Sequence, residues 1–215
     1  MTTYDEYGAQ VRAAYEVYTL ALTGVYLGLQ SAGRGADAVT ELRRQGLGLI
    51  DTLLNSASNM GARYLNTLPD GPGVDVRETY FKAELHRIAI KNLNDLIVRL
   101  MGVGPRAADV LTRPAGAVGL LLQQRLSRPR FTVRDSAGRA WEAPKLVQVE
   151  ARNFAYQSYV DVMLARSQSI GVDKIDIVYA DPARNRTLAL DEAIAQRKVI
   201  FHVNATAQID SHVST

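Results

Sequence analysis

Residues 3–29 read TYDEYGAQVRAAYEVYTLALTGVYLGL, and the fold turns on how this stretch is read. Tyr4, Gly8, Val11, Tyr15, Tyr18, Leu22, Val25 and Leu29 follow one another at alternating spacings of four and three. That is the a/d seam of an α-helix, held for nearly four heptads. Thr3 with Glu6 makes a capping box at its start, and the glycine-containing stretch from Ser31 to Gly35 ends it. Five tyrosines, Tyr4, Tyr7, Tyr15, Tyr18 and Tyr26, crowd into the helix. Tyrosine offers a large contact area with a polar tip, which suits helix–helix interfaces between subunits. A long seam of this kind buries little within one hairpin and more between copies. Tyr4, Val11, Tyr15, Tyr18, Leu22, Val25 and Leu29 are therefore expected to form an assembly interface in a homo-oligomer.

Working outward, Val39, Leu42, Gly46, Leu49, Leu53, Ala57, Met60 and Tyr64 repeat the spacing and predict a second helix from about 37 to 66. The short glycine turn between the two implies an antiparallel hairpin. Leu68-Pro-Asp-Gly-Pro-Gly73 breaks the chain. A third helix is predicted over 76–101, and a fourth over 114–126, opened by Pro114. After Ser127-Arg-Pro129 the pattern changes. Phe131–Val133 and Leu146–Val149 read as strands joined through a turn at Asp135–Gly138, with Pro144 at a bulge or edge. A helix over 151–170 capped by Gly171, a strand over 174–179, a turn at 181–185, a short helix over 190–196 and a strand over 198–202 complete the reading. The expected fold class is α+β: a long-helix bundle over 1–127, then a small mixed α/β domain over 128–215.

Composition narrows the chemistry. Of 215 residues, 47% are hydrophobic, ample for a packed core. There is no cysteine, so disulfides, thiolate metal sites and cysteine nucleophiles are excluded. The acidic amino terminus lacks the basic region of a secretory signal. Val17 to Gly33 carries no charge and includes the small-xxx-small spacing of Gly24 and Gly28. At the short limit for a span, it is expected to be a buried helix of an assembly, with conditional membrane contact as the alternative. The net charge of +3 is uneven, because residues 105–152 hold nine basic against four acidic side chains. Within that stretch Arg125, Arg128, Arg130 and Arg134 are candidates for phosphate contact, which would mean non-specific DNA binding.

Asp135 followed by Glu150-Ala-Arg152 resembles the PD-(D/E)xK nuclease core. In that family two carboxylates hold a divalent cation and a basic residue polarises the phosphate. Here arginine stands where lysine is usual, and Asp135 lies in a Ser-Ala-Gly turn, where aspartate is favoured on conformational grounds. His86, His202 and His212 match no ligand spacing. Gly102-Val-Gly104 follows no strand and is a helix break. No metal or cofactor is expected.

The order of a helical region followed by a compact α/β unit ending in a His-containing strand resembles tailed-phage minor head proteins of the MuF type, mainly over residues 130–210. Those proteins often carry His-Pro-Asn-Cys-Arg near the end of the domain. Here Phe201-His-Val-Asn-Ala205 keeps only His202 and Asn204. The resemblance implies a non-enzymatic virion component, made in the host cytoplasm: a minor head, neck or internal ejection protein with the portal among its partners. A metal-dependent nuclease and a helical adaptor that binds a partner helix are the alternatives.

Overall fold

The computed structural model describes residues 3–31, 35–68, 75–102, 131–178, 181–197 and 208–212. Three long helices come first: α1 (Thr3–Ser31), α2 (Gly35–Leu65) and α3 (Asp75–Gly102). A hairpin of β1 (Thr132–Arg134) and β2 (Ala140–Glu142) leads directly into α4 (Ala143–Ser169). Then come β3 (Lys174–Val178), a 3-10 turn at Pro182–Arg184, β4 (Arg186–Ala189), α5 (Leu190–Ala195) and β5 (Gln208–His212). The protein is α+β, mostly helical, with two small antiparallel sheets in its carboxy-terminal part. The helix expected over 114–126, the expected domain cut at 127/128 and the strand expected over 198–202 lie outside the described residues.

The chain packs as two compact units. The bundle unit comprises residues 10–58 and 82–148. Its core takes Val11, Tyr15, Tyr18, Leu22 and Tyr26 from α1, Leu42, Ile50 and Leu53 from α2, and Leu85, Ile88, Leu93 and Leu96 from α3. Each helix repeats apolar residues at intervals of three and four, which gathers them on one side. Buried tyrosines need partners for their hydroxyls, and α3 supplies them. The Tyr18 hydroxyl donates to the Ala89 carbonyl at 2.9 Å, and Asn92, fully buried, donates its amide to the Tyr15 hydroxyl. Gly46 serves packing: a Cβ there would collide with Leu93 Cδ1 and stand 2.9 Å from Cδ2, so the missing side chain lets α2 close on α3.

The sheet unit comprises residues 1–9, 59–81 and 149–215. Tyr7, Tyr64, Phe81 and Phe154 form an aromatic cluster in it, with Phe81 stacked on Phe154 at 5.4 Å. The Tyr64 hydroxyl donates to the Ala155 carbonyl at 2.9 Å. A second cluster joins Tyr156, Val160 and Leu164 of α4 to Val172, Ile175, Ile177, Leu190 and Ala193. The sheet runs β4-β3-β5, all antiparallel, with Ile175 and Ile177 of the central strand fully buried. Gly171 ends α4 at φ +72°; its amide bonds the Gln168 carbonyl and the Val172 amide bonds that of Ser167. That pair of bonds is the Schellman arrangement, which only a left-handed residue allows.

Two expectations are corrected. Leu146–Val149 is not a strand but the opening of α4, and Pro144 sits in the first helical turn, where its missing N–H costs nothing. Leu146, Val147, Ala151, Phe154 and Ala155 are all buried at helical intervals, a pattern that the β-branched run had masked. His212 closes β5 in register with Lys174.

Candidate functional site

The tight turn after β1 organises a basic surface. Asp135 accepts from the amides of Ala137 (3.0 Å) and Arg139 (2.9 Å), from the Arg139 guanidinium (2.7 Å) and from the Trp141 indole (2.9 Å). Burial alone would raise its pKa. The bonds from Trp141 and Arg139, with the arginine charge, outweigh that and hold it at about 2, below the ordinary 3.8. Because the folded value is the lower one, the clasp is intact above pH 3.8 and is lost as pH falls through about 2. Trp141 is the only tryptophan in the chain, so its emission reports the clasp. Emission is expected to change with a midpoint near pH 2 rather than 3.8, and Asp135→Ala to show the acid-form emission at neutral pH. A midpoint at the ordinary carboxylate value would mean that the clasp does not hold in solution.

Around this clasp stand four cations. Arg139 and Lys145 lie 5.8 and 6.0 Å from the Trp141 ring centre. Arg134 donates to the Gly138 carbonyl at 2.6 Å, and Arg87 reaches from α3 to the Arg134 carbonyl at 3.0 Å. Both carboxylates that pair with them are the sheltered members of their pairs. Asp135 is 8% exposed against 71% for Arg139, and Glu84 is 18% exposed against 45% for Arg87. The charge presented outward is therefore positive, with Glu142 the exposed acid of the hairpin.

No family model, curated protein or solved structure matches this chain. The residues themselves must carry the functional reading.

Of the four arginines expected to contact phosphate, Arg134 is on this surface; Arg125, Arg128 and Arg130 lie outside the described residues. Sequence spacing missed Arg87, 47 residues from its hairpin partner, whereas Arg139 and Lys145 belonged to the basic stretch without being singled out. The nuclease constellation loses its scaffold. Glu150 and Arg152 sit on α4 and not at a strand end, Asp135 is the hairpin clasp, and Arg152 pairs with Asp5 at 2.6 Å while lying 5.6 Å from the Tyr4 ring. Among the described residues no group of three His, Asp or Glu side chains could hold a metal ion. His86 is exposed on α3, and His202 and Asn204 lie outside the described residues.

The expected assembly seam lies elsewhere than on the surface. Val11, Tyr15, Tyr18, Leu22 and Leu29 are buried against the chain's own helices, and Tyr4 and Val25 are half-buried. The physical reason is that α1 packs against its own neighbours, so the seam is filled without a second copy. Outward, α1 leaves Thr3, Glu6, Gln10, Arg12 and Ala13 in its first half and Val17, Leu20, Ala21, Gly24 and Gly28 in its second. Val17 and Leu20 are 66% and 69% exposed, and no charged residue occurs from Val17 to Ser31. Unlike Gly46, a Cβ at Gly24 or Gly28 would meet nothing within 4 Å. Each glycine costs the helix about 1 kcal/mol relative to alanine. No helix among the described residues is long and apolar enough to cross a membrane.

Proposed function

We propose that this chain is a non-enzymatic structural protein that self-assembles through its helices. Its setting, on the resemblance to minor head proteins, is the virion of a tailed phage, as a minor head, neck or internal ejection protein with the portal among its neighbours. The supporting observation is the outward face of α1, uncharged from Val17 to Ser31 and carrying exposed Val17 and Leu20 beside Gly24 and Gly28. In a two-fold contact a residue i meets a residue j of the other copy and j meets i, so a charge near the axis would face its like. A face with no charge is complementary to itself, and bare glycines let two helix backbones approach closely.

The contact between one pair of such helices is modest. A face of about fourteen residues spans roughly 21 Å at 1.5 Å per residue. It buries less than the ~1,200 Å² of a stable two-protein interface. Self-association is therefore expected to depend on concentration and to strengthen when copies are arrayed. Light scattering at rising protein concentration should give a mass climbing above the 23.6 kDa of the chain. Leu20→Glu should return it to that of a monomer with the helix content unchanged. A wild-type protein that stays monomeric at every concentration would sink the assembly reading.

A further inference from the structure

We infer that the β1–β2 hairpin, with Arg87 of α3 and Lys145 of α4, is a binding surface for a nucleic-acid phosphodiester backbone. This goes beyond the assembly reading and does not depend on it. Arg87, Arg134, Arg139 and Lys145 come from three successive parts of the chain and converge on one hairpin. Their acidic neighbours Asp135 and Glu84 are the less exposed members of their pairs, at 8% and 18%, so the ion pairs hold the arginines in place with the guanidinium groups outermost, and the four cations exceed Asp135, Glu84 and Glu142 by one charge. Arginines oriented in advance lose less conformational freedom on meeting a phosphate than free side chains do.

The geometry also indicates what is read. The Trp141 indole N–H is engaged by Asp135, and the ring is half-buried with cations on it, so it braces the arginines and is not an open platform for stacking a base. No side chain of the hairpin forms a recognition element that could enter a groove; β1 and β2 are three residues each. The surface therefore contacts phosphates and carries no sequence preference. Its affinity is electrostatic and falls with salt through counterion release.

The test uses the full-length protein, with Trp141 emission and the anisotropy of a labelled oligonucleotide as readouts. The probes are a mixed-sequence DNA duplex, the corresponding single strand, and vesicles containing anionic phospholipid. With four phosphates engaged, duplex affinity is expected to drop about 150-fold between ~50 and ~200 mM salt, a log–log slope near −3.6. Arg134→Gln with Lys145→Gln should weaken binding at low salt by at least tenfold and bring that slope to about −1.8. Arg43→Gln with Arg44→Gln, which removes the same charge from exposed positions on α2, should stay within about twofold of wild type. The single strand serves to place the contact. A shallower slope, near −0.7 for each phosphate, with the same loss in the hairpin variant supports the backbone assignment. Absence of binding to either nucleic acid at low salt overturns the inference. So do equal losses in the two variants, and so does binding to the vesicles with none to nucleic acid.

Discussion

Above pH 10 this protein is expected to unfold cooperatively, with its buried tyrosines ionising only as it does so. Tyr7, Tyr15 and Tyr18 are 2%, 0% and 4% exposed, and burial of the phenol pushes each pKa above the ordinary 10.0. Glu78 and Tyr64 add to the rise at Tyr7. At Tyr15 the Asn92 hydrogen bond works against burial and Asp95 works with it, while at Tyr18 the neighbouring Tyr15 adds to the rise. A raised folded pKa means that the folded state keeps a proton which the unfolded chain releases. The stability from these groups is thus whole below pH 10 and is lost as pH climbs toward the higher folded values. Each such group takes away about 1.4 kcal/mol for every pH unit in that window. Tyr15 and Tyr18 together remove about 3 kcal/mol per unit from the bundle unit, a large part of a typical total of about 5–15 kcal/mol. Phenolate absorbance and far-ultraviolet circular dichroism, followed in one alkaline titration, should change in a single coincident step. A smooth titration of every tyrosine around pH 10 with the helices intact would mean that these phenols are open to water.

The same residues show where sequence reading works and where it stops. The spacing of Tyr15, Tyr18 and Leu22 marks one apolar face of α1, and the structure buries that face. Periodicity identifies a face that must be covered; it is silent on whether the cover comes from the same chain or another. That depends on α3, whose Asn92 donates to the Tyr15 hydroxyl and whose Ala89 carbonyl accepts from that of Tyr18, each more than seventy residues away. Gly171 and β3 were legible because their signals are local: a glycine after a helical run, and alternation across Lys174–Val178. Leu146-Val-Gln-Val149 misled because four residues with two valines fit a strand as well as a helix. Only their continuation into Ala151 and Phe154 decides for the helix. β5, with Ile209 as its apolar residue, owes its strand form to pairing along β3 and not to composition. At the hairpin, Asp135 was legible as a turn residue, but its grip on Trp141 and the arrival of Arg87 are tertiary events.

The sharpest mutational contrast separates the two sides of α1 at neighbouring positions. Leu22→Glu is expected to abolish the bundle unit, whereas Leu20→Glu leaves it folded. The two residues lie roughly 200° apart around the helix. Leu22 is fully buried, and Leu20 is 69% exposed. Replacing Leu22 forfeits about 2–3 kcal/mol of side-chain burial. It also places a carboxylate in an apolar interior, a further cost of several kcal/mol even after the group takes up a proton. The sum rivals the whole stability of a domain. No cation stands ready to pair with it, since the buried polar residues among those described are Thr23, Asn92, Ser158 and Ser167, all uncharged. Thermal denaturation followed by circular dichroism should show no cooperative transition for Leu22→Glu and a near-wild-type midpoint for Leu20→Glu. If Leu22→Glu instead melted like wild type while its mass fell to that of a monomer, the seam would be an interface between copies after all, and the packing of α1 against α3 within one chain would be wrong. Loss of the fold places the tyrosine seam inside the chain and leaves the uncharged side of α1 as the face available for assembly.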